Sequence, residues 1–317
     1  MLKNCYIGID TSNYTTSVAV ADHEGHIIAN LKAPLPVKAG ERGLRQSDAV
    51  FAHTKNLPRL LDRLGEVVED MTPVAVAYSC RPRDAEDSYM PCFLSGAVAA
   101  HAVSAALHVP IFTCSHQSGH VRAAMYGAGA EEALSGREFG AFHVSGGTTE
   151  ALFVSPRGGE LKVQLIGGTS DLHAGQAVDR IGVKMGLPFP CGPHLEALAR
   201  ENKSPVPKPR ISVKGTTCHL SGLENLALKL LEDTGDKPLV AAFVLQFISD
   251  TLFAMAGAVR EAHPDIPLLF GGGVMSNRII AADLTSRLGG EVYFSDPQFS
   301  ADNAAGVALL CREKFLA

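Results

Sequence analysis

Phe139-Gly140-Ala141-Phe142-His143-Val144-Ser145-Gly146-Gly147-Thr148-Thr149-Glu150-Ala151-Leu152-Phe153-Val154 decides the fold of this chain. It reads as a strand over 139–144, a tip of small and hydroxyl residues over 145–149, and a second strand over 151–154, that is, a β-hairpin. Gly158-Gly159 marks the next turn. The same grammar opens the chain. Cys5 to Asp10 is apolar, Thr11-Ser12-Asn13-Tyr14-Thr15-Thr16 is a polar tip, and Ser17 to Ala21 is apolar again. A turn at Glu24-Gly25 and a third strand, Ile27 to Leu31, follow. A unit that recurs in this way predicts two related domains, each opened by a copy of one hairpin.

Helices fill the intervals. A Pro- and Gly-rich segment covers residues 33–43. Leu57, Leu60, Leu61 and Leu64 then repeat at helical spacing, with Pro58 marking a start or a kink. Val74 to Tyr78 reads as a strand, Arg81 to Asp87 as a charged loop, and residues 93–112 as a buried helix followed by a strand. Later helices are expected over 173–185, 195–201, 221–232, 239–262, 276–288 and 302–315. Short strands are expected over 267–270 and 291–294. Alternating strands and helices make the chain α/β.

The chain has 317 residues, of which 46% are hydrophobic and 19% charged, enough for two packed cores and too apolar for wholesale disorder. A net charge of −5 argues against coating nucleic acid by bulk charge, while leaving room for a local basic patch. Seven scattered cysteines with no C-x-x-C fit a reducing compartment. With no leader pattern at the N-terminus, the expected address is the cytoplasm, with no membrane span.

Several segments carry candidate chemistry. His116 and His120 stand at i and i+4 after a strand, a spacing that suits two imidazoles on one metal ion or two polar residues on a solvated face. The two hairpin tips offer backbone N–H groups and hydroxyls to a phosphate, unless they are ordinary turns. Gly271-Gly272-Gly273 leads from a strand into a helix and lets a ligand lie against backbone. It has neither the G-x-G-x-x-G spacing nor the P-loop lysine. Asp302 falls where it would cap the last helix. Asp171, His173 and Asp179 form a further polar group, followed by the rigid turn Pro190-Cys191-Gly192-Pro193.

These segments, in their order, resemble the tRNA threonylcarbamoyladenosine synthase family, TsaD. The resemblance rests on Gly8-Ile9-Asp10-Thr11-Ser12, His116-x-x-x-His120, residues 144–149, Ala177-Val178-Asp179, residues 190–193, Leu220-Ser221-Gly222-Leu223, residues 272–278 and Asp302-Asn303. It implies two RNase-H-like domains of the actin/Hsp70/sugar-kinase fold around a nucleotide cleft. The first would be residues 1–137 plus 303–317, the second 138–302. It implies one divalent metal, iron or zinc, on His116, His120 and Asp302. An adenine nucleotide or threonylcarbamoyl-AMP would lie on Val144, Ser145, Gly146, Gly147, Asp179, Gly192, Gly272, Gly273 and Asn277, with Asp10 and Ser145 catalytic.

The implied activity is metal-dependent transfer of threonylcarbamoyl to N6 of an adenosine in tRNA, or a related carbamoyl transfer. Implied partners are tRNA and the proteins of a modifying assembly, not DNA. Four departures stand out, one of them Glu224 where the family has a lysine after Ser-Gly-Leu. The family's acidic pair in the first tip is Tyr14-Thr15 here. Thr148 replaces a histidine in the second tip. Residues 80–87 replace a Gly-Pro-Gly loop with a longer charged one. They suggest a divergent paralogue, and a non-catalytic nucleotide-binding partner is the alternative reading.

Overall fold

The computed structural model describes residues 2–36, 44–157, 160–300 and 304–317. Most of the Pro- and Gly-rich segment, the Gly158-Gly159 turn and Asp302 lie outside these residues. The chain divides into two compact units, Met1–Tyr126 with Ser155–Val163 and Ala301–Ala317, and Gly127–Val154 with Gln164–Ser300. The sequence boundary at 137/138 differs from this division. The residues between belong to the second unit because the Gly127 carbonyl accepts from Asp296 N (3.0 Å) and Arg137 forks onto Glu291 at 2.8 and 2.7 Å.

The first unit begins with strands β1 (Lys3–Thr11), β2 (Thr15–Asp22) and β3 (Ile27–Pro34). Helix α1 (Gln46–Val67), β4 (Met71–Arg81), α2 (Phe93–Leu107), β5 (Ile111–Ser115) and α3 (His116–Gly127) follow. The sheet order is β3-β2-β1-β4-β5, antiparallel from β1 to β3 and parallel from β1 through β4 to β5. Alternation along β1 sends Cys5, Ile7 and Ile9 against Leu57, Leu60 and Leu64 of α1, and Tyr6 against Val307 and Cys311 of the chain's last helix. Gly8 is required because a Cβ there would lie 2.3 Å from the Ala308 nitrogen of that helix.

Two local expectations change. Of the two readings of Pro58, the helix start falls, because α1 runs through it from Gln46. The proline sits on the exposed side, where water can satisfy the carbonyl it leaves unpaired. Nor is α2 a buried helix. Only Phe93, Gly96 and Ala100 are buried, while Leu94 and Val98 are 52% and 72% exposed. An apolar run sets the length of a helix, but without periodicity it does not set the buried face.

The second unit contains α4 (Glu131–Leu134), β6 (Phe139–Val144), β7 (Thr149–Arg157) and β8 (Glu160–Thr169). Next come α5 (Ala174–Lys184), α6 (Gly192–Glu201), β9 (Ser212–Lys214), β10 (Thr217–His219), α7 (Ser221–Thr234) and α8 (Lys237–Ala262). β11 (Leu268–Gly271), a 3-10 turn over Gly273–Ser276, α9 (Arg278–Leu288), β12 (Val292–Phe294) and α10 (Pro297–Ser300) complete it. Helix α11 (Ala305–Leu316) returns to the first unit. The sheet order is β12-β11-β6-β7-β8-β10-β9. Its segment β8-β7-β6-β11-β12 repeats the order β3-β2-β1-β4-β5, so the echo between the hairpins is an echo of topology.

Helix α8 is long and apolar enough to cross a membrane, yet 72% of its most apolar window is buried inside this unit. Asp236 caps it, accepting from Leu239 N at 3.0 Å. Phe142, Phe270 and Phe294 stack across β6, β11 and β12, with ring centroids 4.9 and 5.0 Å apart. Such pairs add about 0.5–1.5 kcal/mol each beyond their buried area. The stack holds the ends of β6 and β11, from which the Ser145 tip and the Gly271–Gly273 turn project.

Candidate functional site

In the first unit, β5 delivers the chain into α3. Ser115 caps that helix, its Oγ accepting from Ser118 N at 3.0 Å. One turn apart, His116 and His120 bring their Nε2 atoms to 2.9 Å. Behind them, His116 Nδ1 lies 2.8 Å from Asp10 Oδ1 on β1, and Ser79 Oγ on β4 donates to the same oxygen. An ionised carboxylate only accepts, so His116 Nδ1 carries the proton and Nε2 presents its lone pair. Two converging imidazole nitrogens, one of them braced by a carboxylate, form a donor set that fits a borderline divalent metal.

Asp10 therefore differs from its sequence assignment. It is fully buried, Oδ2 has no partner among the described residues, and Oδ1 is committed to His116 and Ser79. A carboxylate so placed orients the imidazole rather than reaching a substrate proton. Asp302 lies outside the described residues. The helix that follows it crosses α3 closely, since a Cβ on Gly306 would stand 1.9 Å from the Gly119 carbonyl, between the two histidines in sequence. Asp22, Glu24 and His26 also bring donor atoms together on the turn after β2. There Asp22 accepts from His26 N (2.8 Å) and His26 Nδ1 (3.2 Å) and simply closes the turn.

In the second unit, the Ser145 hydroxyl is spent on the tip itself. It accepts from Gly147 N and Thr148 N, both at 3.2 Å, and shares a 2.7 Å hydrogen bond with Thr148 Oγ1. That engagement argues against the catalytic role expected of Ser145. The N-terminus of α5 is pressed onto the tip. Gly175 N donates to Ser145 O at 3.1 Å, and a Cβ on Gly175 would meet Gly146 at 2.7 Å. Beside the tip lies a cavity of about 540 Å³, a size that suits a small organic ligand. Gly146, Asp179, Gly192, Gly273 and Asn277 line it, all expected from the sequence. Val178, Leu245 and Ile280 give it apolar walls.

Val144, Ser145, Gly147 and Gly272 do not line the cavity. Val144 is wholly buried, and Gly272, at φ +98°, packs against its carbonyl. Asp179 Oδ1 accepts from Cys191 N at 2.9 Å, which ties the 190–193 turn to α5. Asn277 Oδ1 caps α9, accepting from Ile279 N and Ile280 N at 3.0 and 3.1 Å, so its amide NH2 is the group left for a ligand. Glu196, unmarked in the sequence reading, also faces the cavity. Its signal was helical spacing, four residues after Gly192 on α6.

Asp171 is a structural clamp. It accepts from Leu172 N (2.6 Å), Leu220 N (2.8 Å) and Ser221 N (3.1 Å). Burial alone would raise its carboxyl, but the hydrogen bonds from Ser221, Leu220 and Leu172 outweigh it and hold the group well below the usual carboxylate range. A depressed folded value contributes stability above the unfolded value, near 4, and loses it as pH falls through the folded one. Asp171→Asn is expected to cost about 1–3 kcal/mol at neutral pH and to flatten the acid limb of stability, read by urea unfolding between pH 7 and 2.5. An equally steep acid limb in the variant would remove the assignment.

The sequence model of TsaD, tRNA N6-adenosine threonylcarbamoyltransferase, matches residues 39–309. The chain belongs to the TsaD family. A tRNA N6-adenosine threonylcarbamoyltransferase of Methanopyrus kandleri is 32% identical over 95% of this chain and 85% of its own length. One from Archaeoglobus fulgidus is 30% identical over 95% and 88%. Solved structures share the fold at lower identity. Component A of the (R)-2-hydroxyglutaryl-CoA dehydratase of Acidaminococcus fermentans superposes with a TM-score of 0.55 at 15% identity, covering 99% of each chain. HypF of T. kodakarensis gives 0.59 at 13% over 99% of this chain and 48% of its own. A ROK family glucokinase of Streptomyces griseus gives 0.52 at 15%, covering 98% and 99%. The duplicated α/β architecture of this TsaD family member is thus that of the actin-like and sugar-kinase proteins.

Proposed function

We propose that the chain transfers threonylcarbamoyl from threonylcarbamoyl-AMP to N6 of an adenosine in tRNA, in the cytoplasm and within a modifying assembly. The observation that carries the reading is the cavity of the second unit. Five of the residues that the family resemblance marks for the nucleotide face it together. Its apolar walls suit a base, and the Asp179 and Glu196 carboxylates suit ribose hydroxyls. In the transfer, N6 forms a bond to the carbamoyl carbon, the bond from that carbon to the phosphate oxygen breaks, and AMP leaves. The N6 proton must pass to a base.

His116 and His120, with Asp302, would hold one divalent metal, iron or zinc. Such an ion supplies Lewis acidity toward an acyl oxygen. The chain's own part there is to fix the donor set. Asp10 sets the tautomer of His116, and Ser79 steadies Asp10. The test is turnover of threonylcarbamoyl-AMP by the purified chain with tRNA that reads codons beginning with A, followed by analysis of the released nucleosides. No modified nucleoside, with or without added protein partners, together with retained nucleotide binding, would favour the non-catalytic partner instead.

Nucleotide binding has its own check. A nucleotide at a hundred times its dissociation constant stabilises the fold by about 2.7 kcal/mol, visible as a rise in melting temperature. Asn277→Ala is expected to remove that rise and also to cost about 1 kcal/mol from the lost cap of α9. Asn277→Asp keeps the cap and loses the amide donor. It should leave the melting temperature of the free protein near wild type and still abolish the ligand-induced rise. A full rise in both variants would remove Asn277 from the site.

A further inference from the structure

The charged loop after β4 is one of the segments that depart from the family pattern, and the transfer chemistry makes no use of it. The structure shows what holds it. Asp84 Oδ2 accepts from Ser118 Oγ at 2.9 Å and from Val163 N at 3.2 Å, while Oδ1 lies 3.7 Å from the Arg81 guanidinium. Two residues earlier, the Pro82 carbonyl accepts from Gln117 N at 3.0 Å. Ser118 is almost wholly buried and sits between His116 and His120 in the first turn of α3. Its hydroxyl also lies 3.3 Å from the Leu161 carbonyl, but the carboxylate is the nearer and stronger acceptor and takes the single proton, so Ser115 Oγ, 2.8 Å away, donates to Ser118 in turn. The first turn of α3 is therefore fastened by Ser115, Pro82 and Asp84, two of them from the altered loop.

We propose that Asp84 is a positioning residue for the His116–His120 pair, its carboxylate latching Ser118 so that the turn of α3 between the two imidazoles keeps one geometry. The proposal rests on the reading of that pair as a metal site. A ligand pair on a loosened first turn must be ordered when the ion binds, and that ordering lowers affinity. Groups that orient metal ligands typically contribute tenfold to a hundredfold in affinity.

The test uses the full chain and zinc alone, its affinity measured by competition with a chromophoric chelator, with the visible spectrum of the cobalt(II) form as a second readout. Asp84→Ala and Ser118→Ala are expected to weaken zinc by about tenfold or more and to shift the cobalt band. Asp84→Asn keeps an acceptor oxygen for Ser118 and should stay within about threefold of wild type. Asp62→Ala, on the exposed side of α1, should change nothing. Should Asp84→Ala fail to fold, Ser118→Ala, which removes one hydroxyl, carries the test. Wild-type affinity and spectrum in the alanine variants overturn the latch. So does a loss in Asp84→Asn as large as that in Asp84→Ala, because charge rather than position would then be what the pair senses. A wild-type chain that takes up neither ion overturns the metal reading itself, a separate outcome.

Discussion

Replacing His116 and His120 together by alanine is expected to take the chain from one bound divalent metal per molecule to none. The two Nε2 atoms stand 2.9 Å apart on one face of α3, and Asp10 fixes the ring of the first. No other imidazole pair among the described residues meets in this way. In the Asp22, Glu24 and His26 group, the buried Asp22 carboxylate is occupied by its own turn. Elemental analysis of protein purified without chelator, before and after loading with iron or zinc, measures the difference. His116→Ala alone should fall nearly as far, since one imidazole from α3 leaves an incomplete set. Asp10→Asn should retain metal more weakly, because an amide can present its NH2 to His116 and favour the wrong tautomer. Stoichiometric metal in the double variant would move the site elsewhere. Its absence from loaded wild-type protein would remove it altogether.

The second large effect lies in the first hairpin tip. The wild-type chain by itself is expected to modify tRNA weakly, and Tyr14→Asp combined with Thr15→Glu to raise the rate by about a hundredfold to ten-thousandfold, the usual contribution of a general base. Tyr14 is 44% exposed at the tip, so a carboxylate there would be accessible. Phenol and alcohol oxygens are poor proton acceptors at neutral pH. Asp10 cannot substitute, being wholly buried and committed to His116. Single-turnover rates with threonylcarbamoyl-AMP and tRNA decide the matter. A wild-type rate already matching that of a relative with the acidic pair would show that the base lies elsewhere. No gain in the double variant, with nucleotide still bound, would place the defect in acceptor binding, where the loop from Arg81 to Asp87 is altered.

Much of the architecture was legible in the order of the residues. The two hairpins announced themselves because strand alternation and turn chemistry are local properties. β1 pairs with β2 from Cys5–Asp22 to Thr11–Thr16, and β6 with β7 from Phe139–Val154 to Val144–Thr149. Leu57, Leu60 and Leu64 marked the buried face of α1 for the same reason. β9 and β10 were not legible because, at three residues each, they carry no period and, unlike Val292-Tyr293-Phe294 of β12, no run of β-forming apolar residues. The buried face of α2 was unreadable, because a helix apolar on every side has no preferred face until something packs on it.

The site divides along the same line. By itself the sequence determined which residue types stand at which spacing: two histidines one helical turn apart, glycines at the ends of β6 and β11, and an asparagine where α9 begins. Only the tertiary structure decided what each does. It turned Asp10 from a base into the brace of His116, because β1 passes behind α3 and closes the carboxylate from solvent. It spent the Ser145 hydroxyl on its own tip, brought Glu196 to the cavity, and folded Asp84 onto Ser118. The Ser145 bonds reach only two and three residues ahead, but the placements of Asp10 and Asp84 depend on contacts between residues tens of positions apart. Local propensity carries no information about such contacts, which are settled only when strands and helices pack at fixed distances.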